Sequence, residues 1–228
     1  MNAIIMAAGL GSRFKEMTKN TPKSLLPING VPNLERTLTM LNEKGISDIL
    51  IITGYLAEKF NYLVDKYPGV KIKVNPKYRE YNSMYTFSFG LDSFGDSLVI
   101  DGDTVMNKNI FETFQQSTYV TKIRTNGDEE WYPVTNNEGK VIRMDTSSGQ
   151  VPTMTGVSYW SQEDANVIKL LFDQYLTPDQ LDNSKLYWDN IPTDNFDKLN
   201  VTTFEVSNDS MYEMDNQEQY YDVQTKVK

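Results

Sequence analysis

Arg13 and Lys23 bracket a polar loop that follows the run Ala3-Ile4-Ile5-Met6-Ala7-Ala8-Gly9-Leu10-Gly11-Ser12, a combination suited to holding a nucleoside triphosphate. The apolar run has the length of a strand, and the glycines let the chain turn tightly at its end. Backbone N–H groups there can meet a phosphate unshielded by side chains. Arg13 offers a planar fork for two phosphate oxygens, and Lys23 a compact charge suited to the oxygen whose charge grows during transfer. Two commoner glycine motifs do not fit. A dinucleotide-binding turn needs a third glycine where Phe14 stands, and a P-loop needs Gly-Lys-Ser/Thr, which is absent. Gly-x-Gly alone would suit a plain strand and turn; with Arg13 and Pro22-Lys23 in place, the joint spacing favours the phosphate grip.

Two further groups could do chemistry. Asp101-Gly102-Asp103 follows the apolar run Ser97-Leu98-Val99-Ile100, and Asp215 ends Tyr212-Glu213-Met214-Asp215. An isolated aspartate after a strand also serves as a turn or helix cap, just as Asn82 in Tyr81-Asn82-Ser83 could be a plain N-cap. All three tryptophans, Trp131, Trp160 and Trp188, lie in the acidic second half, with Tyr187 and Asp189 beside the last. Aromatic faces next to carboxylates hold a quaternary ammonium, which cannot donate a hydrogen bond and gains from cation–π contact. A single tryptophan also makes good core.

Such residues need elements that bring them together. The pattern predicts a strand near 3–7, a helix near 32–44 ending at Gly45, a strand at 48–53, a helix at 56–67, a strand at 70–74, a helix at 82–94 and a strand at 97–100. That order is βαβ, and ligands of doubly wound sheets sit beyond the carboxyl ends of the strands. Gly9–Arg13, Gly54-Tyr55 and Asp101–Asp103 should therefore share one cleft. The second half shows short β-like runs at 118–124, 131–135, 140–144 and 154–160, which suggest a smaller β-rich lobe over about 118–160. A helix at 161–175, a strand at 201–206 and a helix at 216–226 should complete the sheet. The expectation is an α/β fold, doubly wound around a mainly parallel, mixed sheet, in one domain over 1–228.

Composition narrows the chemistry. With no cysteine and no histidine, disulfides, thiolate nucleophiles, the usual zinc sites and histidine acid–base catalysis are excluded, and any metal must be held by oxygen. The net charge is −9, unevenly spread: residues 1–25 carry four basic and one acidic side chain, residues 125–228 seven basic and nineteen acidic. The front suits an anion and the back a cation. No basic stripe exists to neutralise a nucleic acid backbone. The opening apolar run, about eight residues, is too short to cross a membrane and lacks a basic leader, so the expectation is a cytoplasmic protein.

Residues 3–27 resemble the signature of the nucleotidyltransferase (pyrophosphorylase) family, which has a Rossmann-like sheet and couples a nucleoside triphosphate to a phosphorylated acceptor with release of pyrophosphate. That resemblance implies that Met6, Ala7, Ala8, Gly9, Gly11 and Ser12, with Tyr81, Asn82 and Ser83, bind a pyrimidine nucleotide, and that Arg13 and Lys23 are catalytic. It also implies Mg2+ on Asp103 and Asp215, since magnesium takes one or two carboxylates together with substrate phosphates and water. Glu-Trp at 130–131, Gly-Val-Ser-x-Trp at 156–160 and Tyr-Trp-Asp-Asn at 187–190 further resemble a bacterial choline-phosphate cytidylyltransferase branch. The branch implies CTP and phosphocholine as substrates, an acceptor site of Trp131, Trp160, Tyr187, Trp188 and Asp189, and no partner protein. The same chemistry on 2-aminoethylphosphonate, phosphoethanolamine or a sugar 1-phosphate, or a catalytically silent nucleotide-binding module, stands as the alternative.

Overall fold

Seven strands form the main sheet of the computed structural model, which describes residues 1–124, 127 and 129–227. They are β1 (Asn2–Ala7), β2 (Ile49–Thr53), β3 (Val70–Val74), β4 (Ser97–Asp101), β5 (Thr118–Ile123), β6 (Pro152–Trp160) and β7 (Thr202–Glu205). Their spatial order is β7-β5-β6-β4-β1-β2-β3. β1 runs parallel to both β2 and β4, β2 parallel to β3, and β7 parallel to β5, whereas β6 lies antiparallel between β4 and β5. The sheet is therefore mixed and mainly parallel.

The unbroken apolar character of β1 and β2 follows from cover on both faces. Ala3, Ile5 and Ala7 face one core with Leu34, Leu38 and Leu41 of the helix Asn33–Glu43, spaced to fall on a single helix stripe. Ile4 faces the other core, with Met84 and Phe87 of the helix Ser83–Ser88 and with Ala165, Ile168 and Phe172 of the helix Gln162–Phe172. Parallel register then aligns three strand ends at one edge, where Met6 pairs with Asp101 on one side and Ile52 on the other.

Several elements differ from the sequence expectation. The runs at 118–124 and 154–160, grouped there with a separate lobe, belong to the main sheet as β5 and β6; what stands apart is the two-stranded antiparallel sheet of Glu130–Thr135 and Val141–Ser147. The helix expected over 56–67 divides into a 3-10 turn, Ala57–Phe60, and a short helix, Tyr62–Lys66, after Leu56 enters the left-handed region. The helix expected over 82–94 stops at Ser88 and is followed by a 3-10 turn, Leu91–Ser93. A three-residue pairing of Thr104–Met106 with Met211–Glu213 is new, and it carries Glu213, and Asp215 just beyond, back to the strand that follows Asp103. Among the described residues no helix is long and apolar enough to cross a membrane.

Candidate active site

Lys23 is the hub of the cleft. Its Nζ donates to Asp103 Oδ2 at 2.7 Å and to Asp215 Oδ1 at 3.0 Å, and its side chain is only 14% exposed. Burial alone would lower the pKa of the ammonium, but the two carboxylates outweigh it and hold the pKa above its ordinary value. Gly11 lets Lys23 reach this position: it sits at φ +60, and a Cβ there would come within 3.1 Å of both Lys23 Cβ and Thr18 Cγ2. Arg13 is mostly exposed, and its Nη2 lies 3.5 Å from Asp215 Oδ1.

Two cavities open on either side of this hub. The first, about 330 Å³, is lined by Met6, Ala7, Ala8 and Gly9 from the end of β1, by Tyr81, Asn82 and Ser83, and by Lys23 and Trp188 among others. Asn82 is also a helix N-cap, its Oδ1 accepting from Met84 N at 3.0 Å, so both sequence readings of this residue describe one side chain. Gly11 and Ser12 do not line the cavity; they shape the loop that delivers Arg13 and Lys23. The second cavity, about 460 Å³, is lined by Arg13, Trp131, Asp215, Arg124, Met144 and Met154, with Glu129, Glu130 and Glu213 on its walls. Asp101, Asp103, Tyr187 and Asp189 line both.

Acidic side chains outnumber basic ones around the second cavity, where Asp101, Asp103, Glu129, Glu130, Asp189, Glu213 and Asp215 face Arg13, Arg124 and Lys185. Burial pushes Asp189 up to about 7, and burial together with the neighbouring carboxylates Asp103, Asp189 and Glu213 holds Asp101 well above the carboxylate range. Arg124 is fully engaged: it forms a fork onto Glu213, with Nη1 to Oε2 at 2.7 Å and Nη2 to Oε1, and also donates to Glu130 Oε1 at 3.0 Å, Thr153 Oγ1 at 2.9 Å and the Met154 carbonyl at 2.8 Å. Glu129 and Asp215 line this cavity together with Trp131 and Tyr187, so carboxylate and aromatic faces stand ready for a cation that offers no hydrogen bond.

Two tryptophans fall elsewhere than expected. Trp160 is wholly buried, edge-on to Tyr119 at 5.5 Å, and its Nε1 donates to Ser158 Oγ at 2.9 Å. It belongs to the core and reaches neither of the two cavities, because β6 at Val157–Trp160 is covered on both faces. Trp160→Leu is expected to cost about 2 kcal/mol of stability through lost apolar burial and an orphaned Ser158 hydroxyl; urea unfolding would read it, and an unchanged midpoint would contradict the core assignment. Trp188 stacks on Phe87 with centroids 4.4 Å apart and borders the first cavity, not the second.

Arg124 and Glu213 escaped the sequence reading, whereas Asp101, expected in the shared cleft, lines both cavities. The acid pairs at i and i+2, Asp101/Asp103 and Glu213/Asp215, were a usable signal, since such pairs on extended chain share one face. Among the described residues no set of three or more acidic side chains is arranged to enclose a metal. Asp103 and Asp215 nevertheless converge on one cation, the Lys23 ammonium, and two carboxylates completed by phosphate oxygens and water are the donor set magnesium takes.

Residues 3–140 match the MobA-like NTP transferase domain. The chain is 50% identical over 228 residues to a choline-phosphate cytidylyltransferase of Haemophilus influenzae, covering all of this chain and 97% of that protein. It is 40% identical over 224 residues to one of Streptococcus pneumoniae, covering 96% and 95%. Its fold superposes with a TM-score of 0.93 on the solved CTP:phosphocholine cytidylyltransferase LicC of Streptococcus pneumoniae, at 37% identity over 100% of this chain and 99% of that one.

Proposed function

The chain belongs to the MobA-like NTP transferase family, and from that premise we propose that it transfers CMP from CTP to phosphocholine, giving CDP-choline and pyrophosphate. The observation that carries the reading is the shared wall between the two cavities. A nucleotide in the first and a cationic phosphomonoester in the second meet at Asp101, Asp103, Tyr187 and Asp189, with Lys23 alongside Asp103.

The acceptor's phosphate is already an anionic nucleophile, so the reaction needs no side-chain base and no covalent intermediate. Catalysis reduces to alignment and charge neutralisation. The end of β1 and Tyr81–Ser83 hold the nucleoside, Arg13 takes the leaving pyrophosphate, and Lys23 bridges the α-phosphate and the incoming phosphate. To do so its ammonium exchanges a carboxylate oxygen for a phosphate oxygen. Asp103 and Asp215 would hold Mg2+, which supplies charge neutralisation at the α-phosphate when bound. Trp131 and Tyr187 wall the trimethylammonium group, with Asp189 as its counter-charge.

Pyrophosphate release from CTP with a panel of acceptors tests this. Activity should fall stepwise from phosphocholine through its dimethyl and monomethyl analogues to phosphoethanolamine, because each lost methyl removes ring contact and leaves an N–H in need of a partner. Trp131→Leu should weaken acceptor use by about 2- to 30-fold and leave CTP affinity unchanged. Equal kcat/KM for phosphocholine and phosphoethanolamine would remove the aromatic wall from the mechanism. Absence of turnover with every acceptor would leave only a nucleotide-binding module.

A further inference from the structure

Tyr55 lines neither of the two cavities, yet it touches the phosphate loop at both ends. Its backbone N–H donates to the Ala8 carbonyl at 3.2 Å, where the loop leaves β1, and its hydroxyl donates to the Lys19 carbonyl at 3.1 Å, just before the segment that carries Lys23. We propose that Tyr55 is the positioning residue of the nucleotide-phosphate loop, fixing its span so that Arg13 and Lys23 face the triphosphate; this rests on the CTP reading above.

The surroundings are built for that task. Gly54 leaves no room for a side chain, since a Cβ there would lie 2.7 Å from Tyr78 Cβ and 2.9 Å from the Ala8 carbonyl oxygen, so the turn is pressed against the end of β1. Leu56, next in the chain, sits at φ +50, a conformation a branched side chain rarely adopts and one that persists only where its surroundings impose it. The loop is strained as well, with Lys15 at φ +53. Its internal brace is Thr18, whose Oγ1 donates to the Gly11 carbonyl at 3.0 Å. The Tyr55 hydroxyl adds a hold from outside the loop.

Tyr55 is also tied to a wall of the nucleotide cavity. The Arg79 guanidinium lies 5.8 Å from the Tyr55 ring and 5.3 Å from the Tyr78 ring, and Arg79 Nε donates to the Tyr78 hydroxyl at 3.2 Å. Tyr78 lines the first cavity. One tyrosine thus links a cavity wall to the loop that carries the phosphate-binding cations.

Tyr55→Phe removes the hydroxyl and keeps the ring against Arg79 and Tyr78. By direct titration of CTP its Kd should rise about 2- to 10-fold, the loss of one ordinary hydrogen bond's worth of ordering. In steady state, KM for CTP should rise and kcat fall while KM for phosphocholine stays put, a split that a merely structural bond does not produce. Tyr55→Leu, which also loses the ring, should lower CTP affinity further. An unchanged CTP Kd in Tyr55→Phe overturns the proposal, as does an equal rise in KM for both substrates. Because CTP titration needs no turnover, weakened binding would uphold the role of Tyr55 even if no acceptor were ever used.

Discussion

Lys23→Ala will lower kcat by about 100-fold or more, the loss that accompanies removal of one preorganised charge donor at a reacting oxygen. The side chain is held rigidly enough for that role, with two charged partners at 2.7 and 3.0 Å and a setting that keeps it protonated. Its donors already rest on Asp103, which lines both cavities, and need move only from carboxylate to phosphate. An interaction strongest in the transition state lowers kcat and kcat/KM together, so the KM for CTP should change little. Single-turnover formation of the cytidylyl product separates the chemical step from product release. An unaltered rate with only a raised KM for CTP would confine Lys23 to ground-state binding.

Asp103→Asn and Asp215→Asn will each depress turnover by about 100-fold at low magnesium and raise the magnesium concentration needed for half-maximal rate. The two carboxylates come from distant parts of the chain yet converge on one ammonium in this structure, so they can equally converge on one divalent ion. The double variant should fall well short of the product of the single effects, as residues acting on a shared centre are not independent. Each variant also loses an anionic partner of Lys23, so magnesium titrations of the single variants carry the distinction: a rate restored by excess magnesium reports metal binding, one that is not reports loss of the lysine clamp. Full activity of Asp215→Asn at low magnesium would leave that residue a structural cap.

Much of the cleft was legible because its parts sit at strand ends, which the βαβ pattern locates. The apolar runs at 3–7, 48–53 and 97–100 gave the parallel core, and with it the meeting of Met6–Gly9 with Asp103. Trp160 was misread for a physical reason. Alternation distinguishes an inward from an outward residue only on a half-exposed strand, and four successive residues at the end of β6 are buried. The lobe boundary was misplaced for a related reason: short β-like runs show that strands exist, not which sheet they join, and β5 and β6 pair with elements far away in sequence. The pairing of Thr104–Met106 with Met211–Glu213 is too short to leave a period, though it carries Glu213 to the site and Asp215 just past it. Arg124 reads in sequence as one more charge after a strand, and only folding shows that its N–H groups are committed to protein acceptors.

The wall of Asp101, Asp103, Tyr187 and Asp189 has a thermodynamic consequence. Side chains that line two cavities cannot be set independently for each, so whatever ordering or change of protonation one ligand imposes on them is met by the other already made. Occupancy of one cavity then changes affinity in its neighbour, and linkage requires the effect to be reciprocal: the factor by which phosphocholine alters the dissociation constant of CTP is the factor by which CTP alters that of phosphocholine. The partition between the cavities is thereby a coupling element, whose strength is a free energy belonging to neither substrate alone.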